Sequence, residues 1–361
     1  MKIIQMLVTM SYGDAIGNDV LALYDVLKKN HYETEIYAQN IDPRLPKKLV
    51  SSIEKVPKLK EEDVIIWHMA IGTELNERIV KFPGRKIMIY HNITPAYFYE
   101  SYSIQASQLC MEGEKQLKKI SNQFDYCLAV SEYNKRDLIE RGGCTKKIDV
   151  LPILIPFSDY EKKPNENVIK KYGDDGYTNI LFTGRIAPNK KQEDVIRAFY
   201  MYHKYYNPKS RLIFVGSYGG MESYYNKLRG YVKDLELEDV LFTGHIKFDE
   251  ILAYYRVADV FLCMSEHEGF CVPLVESMCF DLPIIAYDSS AIGDTLGGSG
   301  ILIQKKDPLE TAGMIDYLVK NKEFYQQVVE GQRERLKDFE HDKIEKKFME
   351  YLKAFLGEKD A

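Results

Sequence analysis

Two glutamates flanking a sharp turn are the strongest chemical signal in the sequence: Ser265-Glu-His-Glu268-Gly-Phe-Cys-Val-Pro273-Leu-Val-Glu276. Gly269 permits an abrupt change of direction, and Pro273 suits the first turn of a helix, where its missing N–H costs nothing. The amides from Phe270 to Leu274 would then face outward at a helix N-terminus, a favourable place for an anion. Glu268 before the turn and Glu276 on the helix can line one pocket with those amides. Carboxylates near helix starts also occur on ordinary solvated surfaces, so the pair needs its surroundings to mean more. A second segment, Gly184-Arg185-Ile-Ala-Pro-Asn-Lys190, supplies a planar fork and a point charge, and both suit a diphosphate. Two solvated loop cations would read the same way in isolation.

Both segments follow short apolar runs that read as strands, Asn179–Thr183 and Val260–Cys263. Further runs at Arg211–Val215, Val240–Thr243 and Pro283–Ala286 alternate with the amphipathic stretches Gln192–Tyr206, Met221–Leu235, Phe248–Val257 and Pro273–Phe280. An earlier series has the same rhythm. Strands are expected at Ile3–Val8, Val64–Trp67, Lys86–Tyr90 and Tyr126–Val130, with helices at Asn18–Lys29, Thr73–Lys81, Ile104–Ser121 and Glu132–Arg141. Strands alternating with helices predict α/β domains with parallel sheets. The Pro152 to Asn167 stretch holds prolines and a polar cluster and predicts a boundary. The expected domains are residues 1–157 and 158–340, with a strongly periodic helix in 341–361.

At the strand ends of the first domain, two histidines could do chemistry: His91 in Tyr90-His-Asn-Ile-Thr-Pro95, and His68 in Trp67-His-Met-Ala. A strand-end histidine is often structural. Gly13-Asp14-Ala-Ile-Gly17 opens the first helix and places Asp14 and Gly17 at the same edge. Neither G-x-G-x-x-G, a P-loop, H-E-x-x-H nor an Asp-x-Asp triplet occurs, so no cofactor or metal is expected.

Composition bounds these options. A chain of 361 residues with 45% hydrophobic and 29% charged residues excludes collagen, coiled coil and wholesale disorder. A net charge of −5 gives no overall attraction for nucleic acid. No apolar run approaches a membrane span, and the N-terminus reads as a buried strand rather than a signal peptide. None of the six cysteines forms C-x-x-C, so reduced thiols in a cytoplasmic protein are expected.

Taken together, Gly184-Arg185-x4-Lys190 and Glu268-Gly-Phe-x5-Glu276 resemble the retaining, nucleotide-sugar-dependent glycosyltransferases of group 1 (family 4). Leu212-Ile-Phe-Val-Gly216, Val240-Leu-Phe-Thr-Gly-His245 and Tyr254-Tyr-Arg-Val-Ala-Asp259 add to the resemblance. It implies a GT-B fold, two Rossmann-like domains facing a cleft, with the C-terminal helix crossing back to the first. It implies that Arg185, Lys190 and the amides of Gly269, Phe270 and Cys271 hold the donor diphosphate. Glu276 would take the ribose, Ile246 would lie near the base, Glu268 would contact the transferred sugar, and His91 would stand near its anomeric carbon. Asp14, Gly17 and His68 are acceptor-side candidates, although Asp14-Ala15 stands where the family often carries two glycines. The His91 and Gly184 segments are most similar to bacterial mannosyltransferases of surface-polysaccharide assembly. Transfer of mannose from GDP-mannose to a glycan or lipid-linked acceptor is therefore expected, without metal, by a cytoplasmic enzyme at most peripheral to a membrane. A GT-B sugar-nucleotide epimerase and a non-catalytic nucleotide-sugar-binding protein are the alternatives.

Overall fold

A computed structural model describes residues 1–11, 13–46 and 48–358; the last three positions of the expected 341–361 segment lie outside the described residues. The chain forms two compact units. The first comprises Met1–Ala96, Gln105–Pro156 and Phe339–Ala361, and the second Tyr97–Ile104 and Phe157–Asp338.

The first unit is built on β1 (Lys2–Met10), β2 (Glu33–Ile41), β3 (Ser51–Ser52), β4 (Val64–Met69), β5 (Arg85–Tyr90), β6 (Tyr126–Ala129) and β7 (Ile148–Val150). They pair in parallel in the order β3-β2-β1-β4-β5-β6-β7. All six residues of β4 are buried, as expected of a parallel strand covered on both faces. The helix Ala15–Lys29 returns the chain from β1. Asp14 caps its start, and Lys28 and Lys29 sit in its last turn, where cations complement the helix dipole. The helix His341–Leu356 buries Ile344, Phe348, Met349 and Leu352, one stripe at helical spacing, and is part of this unit. Arg85 stacks on Phe355 at 3.9 Å, the Phe355 ring lies 5.8 Å from that of Tyr126, and Lys29 pairs with Glu345 at 2.8 Å.

The second unit holds β8 (Thr178–Thr183), β9 (Ser210–Val215), β10 (Val240–Phe242), β11 (Val260–Cys263), β12 (Ile284–Tyr287) and β13 (Ile301–Ile303), parallel in the order β10-β9-β8-β11-β12-β13. Its core stacks Phe182 on Phe261 and packs Leu181, Ile213, Leu274 and Ile284 at full burial. Residues Tyr97–Ile104 fall inside the span 1–157 yet belong to this second unit. There Tyr102 meets Tyr224 edge-on at 5.0 Å and accepts a hydrogen bond from Lys227 Nζ at 2.8 Å. Among the described residues, no helix is long and apolar enough to cross a membrane.

In both sheets the strand order reverses beside the first strand, between β1 and β4 and between β8 and β11. Loops leaving the carboxyl ends of such neighbouring strands part in opposite directions and open a crevice, where open α/β sheets bind ligands.

Candidate functional site

In the second unit the loops after β8 and β11, the two strands that flank this crevice, carry Arg185, Lys190 and Glu268. Gly184 follows β8, with φ +142°, and Gly216 follows β9, with φ +152°. A side chain at Gly216 would place its Cβ 2.0 Å from the Gly184 carbonyl oxygen, so only glycine lets the two loops approach. Arg185 is exposed, and its Nη2 donates to the Gly219 carbonyl at 3.0 Å, which draws the guanidinium over the loop after β9.

Lys190 lies on the far side of the same loop and is no surface cation. Its Nζ is 2.6 Å from Glu268 Oε1, with both side chains largely buried. Burial alone would lower the ammonium pKa; the Glu268 carboxylate outweighs it and holds the value above the ordinary range. Ser265 Oγ donates to the same Glu268 oxygen at 2.8 Å, and the Glu268 amide donates to Ser290 Oγ at 2.8 Å. Asn189 Nδ2 donates to the His267 carbonyl at 2.9 Å, and the Glu266 amide donates to Asn189 O at 2.8 Å, which ties the two loops together.

Beyond Glu268 the chain turns through Gly269 and Phe270 into Cys271, at φ +70°, and enters the helix Val272–Cys279 with Pro273 in its first turn. Phe270 is buried, and its carbonyl accepts from the Thr295 hydroxyl. The Cys271 thiol packs into the core, so the backbone is what these residues offer to a ligand. Glu276, on the helix, receives the Tyr160 hydroxyl on Oε1 at 2.8 Å and the Tyr255 hydroxyl on Oε2 at 2.6 Å. Burial raises its carboxyl pKa, and the two tyrosines oppose that rise. Ile246 packs against the edge of the same core.

Arg185, Lys190, Glu268 and the 269–271 backbone thus occupy loops of adjacent strands, with Glu276 on the helix that follows. Sequence reading misses the partners: Ser265 and Ser290 on Glu268, Tyr160 and Tyr255 on Glu276. Tyr255 lies within a segment that carries the resemblance, but its hydroxyl's target depends on how the helix Phe248–Val257 packs.

In the first unit the candidates divide. Asp14 Oδ2 accepts from the Gly17 amide at 3.3 Å, a helix cap, and a Cβ at Gly17 would come within 2.9 Å of the Ser11 carbonyl oxygen. His68 and His91 come together: His68 Nδ1 and His91 Nε2 are 2.9 Å apart, with the rings stacked at 5.2 Å. Burial, with the neighbouring His91, depresses the His68 pKa, and burial lowers that of His91 to about 3, so both are neutral near pH 7. His68, His91 and Asp19 offer ligand atoms within 4.8 Å of one another, an arrangement that composition and motif do not announce.

The comparisons agree with this anatomy at two levels. The fold is the α/β GT-B architecture: the chain superposes on sucrose-phosphate synthase from Thermosynechococcus elongatus with a TM-score of 0.79 and 15% identity, over 99% of this chain and 100% of that one. Residues 164–335, nearly all of the second unit, match the family described as glycosyl transferases group 1. The chain is 32% identical over 149 residues to D-inositol 3-phosphate glycosyltransferase of Acidothermus cellulolyticus, covering 39% of this chain and 33% of that protein. It is 24% identical over 278 residues to the O-antigen chain mannosyltransferase RfbU of Salmonella typhimurium, covering 72% and 71%. The chain thus spans only a third of the length of the first of these relatives.

Proposed function

We propose that the protein is a retaining hexosyltransferase that takes a nucleoside-diphosphate sugar, first GDP-mannose, and transfers the hexose to a glycan or lipid-linked acceptor. The observation that carries this reading is the set of Arg185, the Lys190–Glu268 pair and a helix N-terminus without a side-chain cap, on adjacent loops of one sheet edge. Two cations and a helix end suit a diphosphate leaving group, whose charge grows as the bond from C1 to oxygen breaks. Groups fixed where that charge develops favour the transition state over the bound substrate. Retention then follows if the acceptor hydroxyl attacks the same face and passes its proton to the departing phosphate oxygen.

In this scheme Glu276 receives ribose hydroxyls, Ile246 borders the base, Glu268 meets the transferred sugar, His91 stands near its anomeric carbon, and His68, Asp14 and Gly17 serve the acceptor side. Fixed cations take the place of a metal, so none is required. The mannosyltransferase name among the relatives supports mannose, and the relatives' transferase names leave the epimerase reading without support. The reading makes the protein cytoplasmic, at most peripheral to a membrane.

The decisive test uses Arg185→Ala, which removes an exposed cation without stranding a buried charge. With GDP-, UDP- and dTDP-sugars screened for transfer, the variant should lose about 10²-fold in kcat/KM at an unchanged melting temperature. Transfer at the wild-type rate would remove the diphosphate assignment. Activity that survives EDTA supports the fixed-cation scheme, whereas full loss restored by Mg²⁺ or Mn²⁺ would reject it.

A further inference from the structure

The buried cluster at the switch point of the first sheet has a direction built into it. Val20 O is a carbonyl and can only accept; Gln5 Nε2 donates to it at 3.0 Å. That fixes the Gln5 amide, so its Oε1 faces His68 Nε2 at 3.1 Å and must receive a proton there. Neutral His68 then carries its hydrogen on Nε2 and presents a lone pair at Nδ1. The atom 2.9 Å away is His91 Nε2, which must therefore be the donor. Neutral His91 is left with a lone pair at Nδ1, and this buried atom has no hydrogen-bond partner among the described residues. A buried acceptor without a donor costs about 1–3 kcal/mol, so its retention calls for a compensating role.

We propose that Gln5 and His68 are positioning residues that hold His91 in its Nε2–H tautomer and reserve His91 Nδ1 as acceptor for a ligand hydroxyl. The proposal rests on the reading that His91 meets a sugar substrate, and it adds the atom and the device that orients it. The nearby Asp19 carboxylate accepts from the Leu154 amide at 2.9 Å. The three side chains would also crowd a cation, but the hydrogen-bond chain already commits the facing nitrogens to each other.

The test is ¹⁵N-histidine NMR on the full chain, together with transfer kinetics. In the wild type both histidines should report neutral Nε2–H tautomers. In His68→Leu, and separately in Gln5→Leu, His91 should become a tautomer mixture. In His68→Asn, whose Oδ1 can take the place of Nδ1, the His91 tautomer should persist. The two leucine variants should lose about 10- to 100-fold in kcat at little change in donor KM, as when a group that orients a reacting hydroxyl is mis-set, and the asparagine variant should recover most of it. A wild-type Nδ1–H tautomer on His91 would overturn the proposal, as would a leucine pair that leaves the tautomer unchanged. So would stoichiometric binding of added Zn²⁺ that His68→Leu abolishes. If no nucleotide sugar is turned over, the transferase reading fails while the NMR still decides this one.

Discussion

Glu268 and Glu276 flank one turn, yet different chemistry holds them. Glu268 is bound by a cation and a serine hydroxyl, whereas Glu276 is bound by two phenol hydroxyls and, among the described residues, by no cation. A ribose changes little during transfer, so a contact to it is nearly uniform and chiefly sets KM. A carboxylate at the transferred sugar meets growing oxocarbenium charge and chiefly sets kcat. Glu268→Gln should therefore lower kcat more than it raises KM, and Glu276→Gln the reverse. Saturation kinetics on both variants check this, and an unchanged kcat in Glu268→Gln would overturn the catalytic role proposed for it. The Lys190–Glu268 pair adds a stability consequence: Lys190→Ala strands a buried carboxylate, at a cost of about 3–5 kcal/mol. Loss of activity in that variant is thus not specific to the donor. Asp19 titrates in the opposite sense to a paired carboxylate. Burial raises it from the usual 3.8 to about 7. The folded state then holds a proton that the unfolded state has released, so stability is full below about pH 4 and falls as pH rises through 7. By linkage the loss approaches about 4 kcal/mol. Asp19→Asn keeps an acceptor for the Leu154 amide and should remove this slope. Urea unfolding at pH 5 and pH 8 checks it: an identical wild-type-to-variant difference at both pH values would contradict it.

Among the elements, loop contacts decide more than strand composition does. Gly216 at φ +152° lies against the Gly184 carbonyl, so Gly216→Ala must push the Arg185 and Ser217 loops apart. A strained backbone of this kind costs about 1–3 kcal/mol. The expected result is a lower melting temperature together with weaker diphosphate binding, measured by calorimetry; wild-type binding would show that the close approach is not needed. Strands β4, β5, β8 and β11 are readable in the sequence because each contains an uninterrupted apolar run, Val64–Trp67, Ile87–Tyr90, Ile180–Phe182 and Val260–Cys263. β2 escaped because Glu33, Glu35, Gln39 and Asn40 interrupt it, and its buried positions include Thr34. The stretch after Pro156 reads as a linker, yet it forms a short 3₁₀ turn at Phe157–Glu161 and a helix at Glu166–Tyr172 capped by Asn165. That turn delivers Tyr160 to Glu276, a contact between residues 116 positions apart. Candidate residues stand out in the sequence where a turn signal and a charge coincide, as at Gly184-Arg185 and Glu268-Gly269. Those that serve as partners, such as Tyr160, Ser290 and Gln5, look like ordinary structural residues until the chain is folded.

At the scale of the molecule, neither unit is a continuous piece of chain. Tyr97–Ile104 leaves the first unit's sequence for the second, and the chain returns at Phe339 to close the first with its last helix. The first unit is therefore complete only when its final segment has been made. The helix His341–Leu356 carries Phe348 at 1% exposure among Ile344, Met349 and Leu352. Removing a buried phenylalanine side chain costs about 3–5 kcal/mol through lost burial and the cavity left behind. A reporter for this unit exists within the sequence. Trp67 is the single tryptophan, it is fully buried on β4, and its Nε1 donates to Asn76 at 3.1 Å. Multidomain chains need not unfold as one, so a signal confined to one unit is informative. Phe348→Ala should shift the Trp67 fluorescence transition to lower urea by an amount matching that loss. Below the transition, nucleoside-diphosphate binding, assigned to the second unit, should keep its wild-type affinity. A Trp67 midpoint equal to that of the wild type would mean that the last helix does not stabilise the first unit.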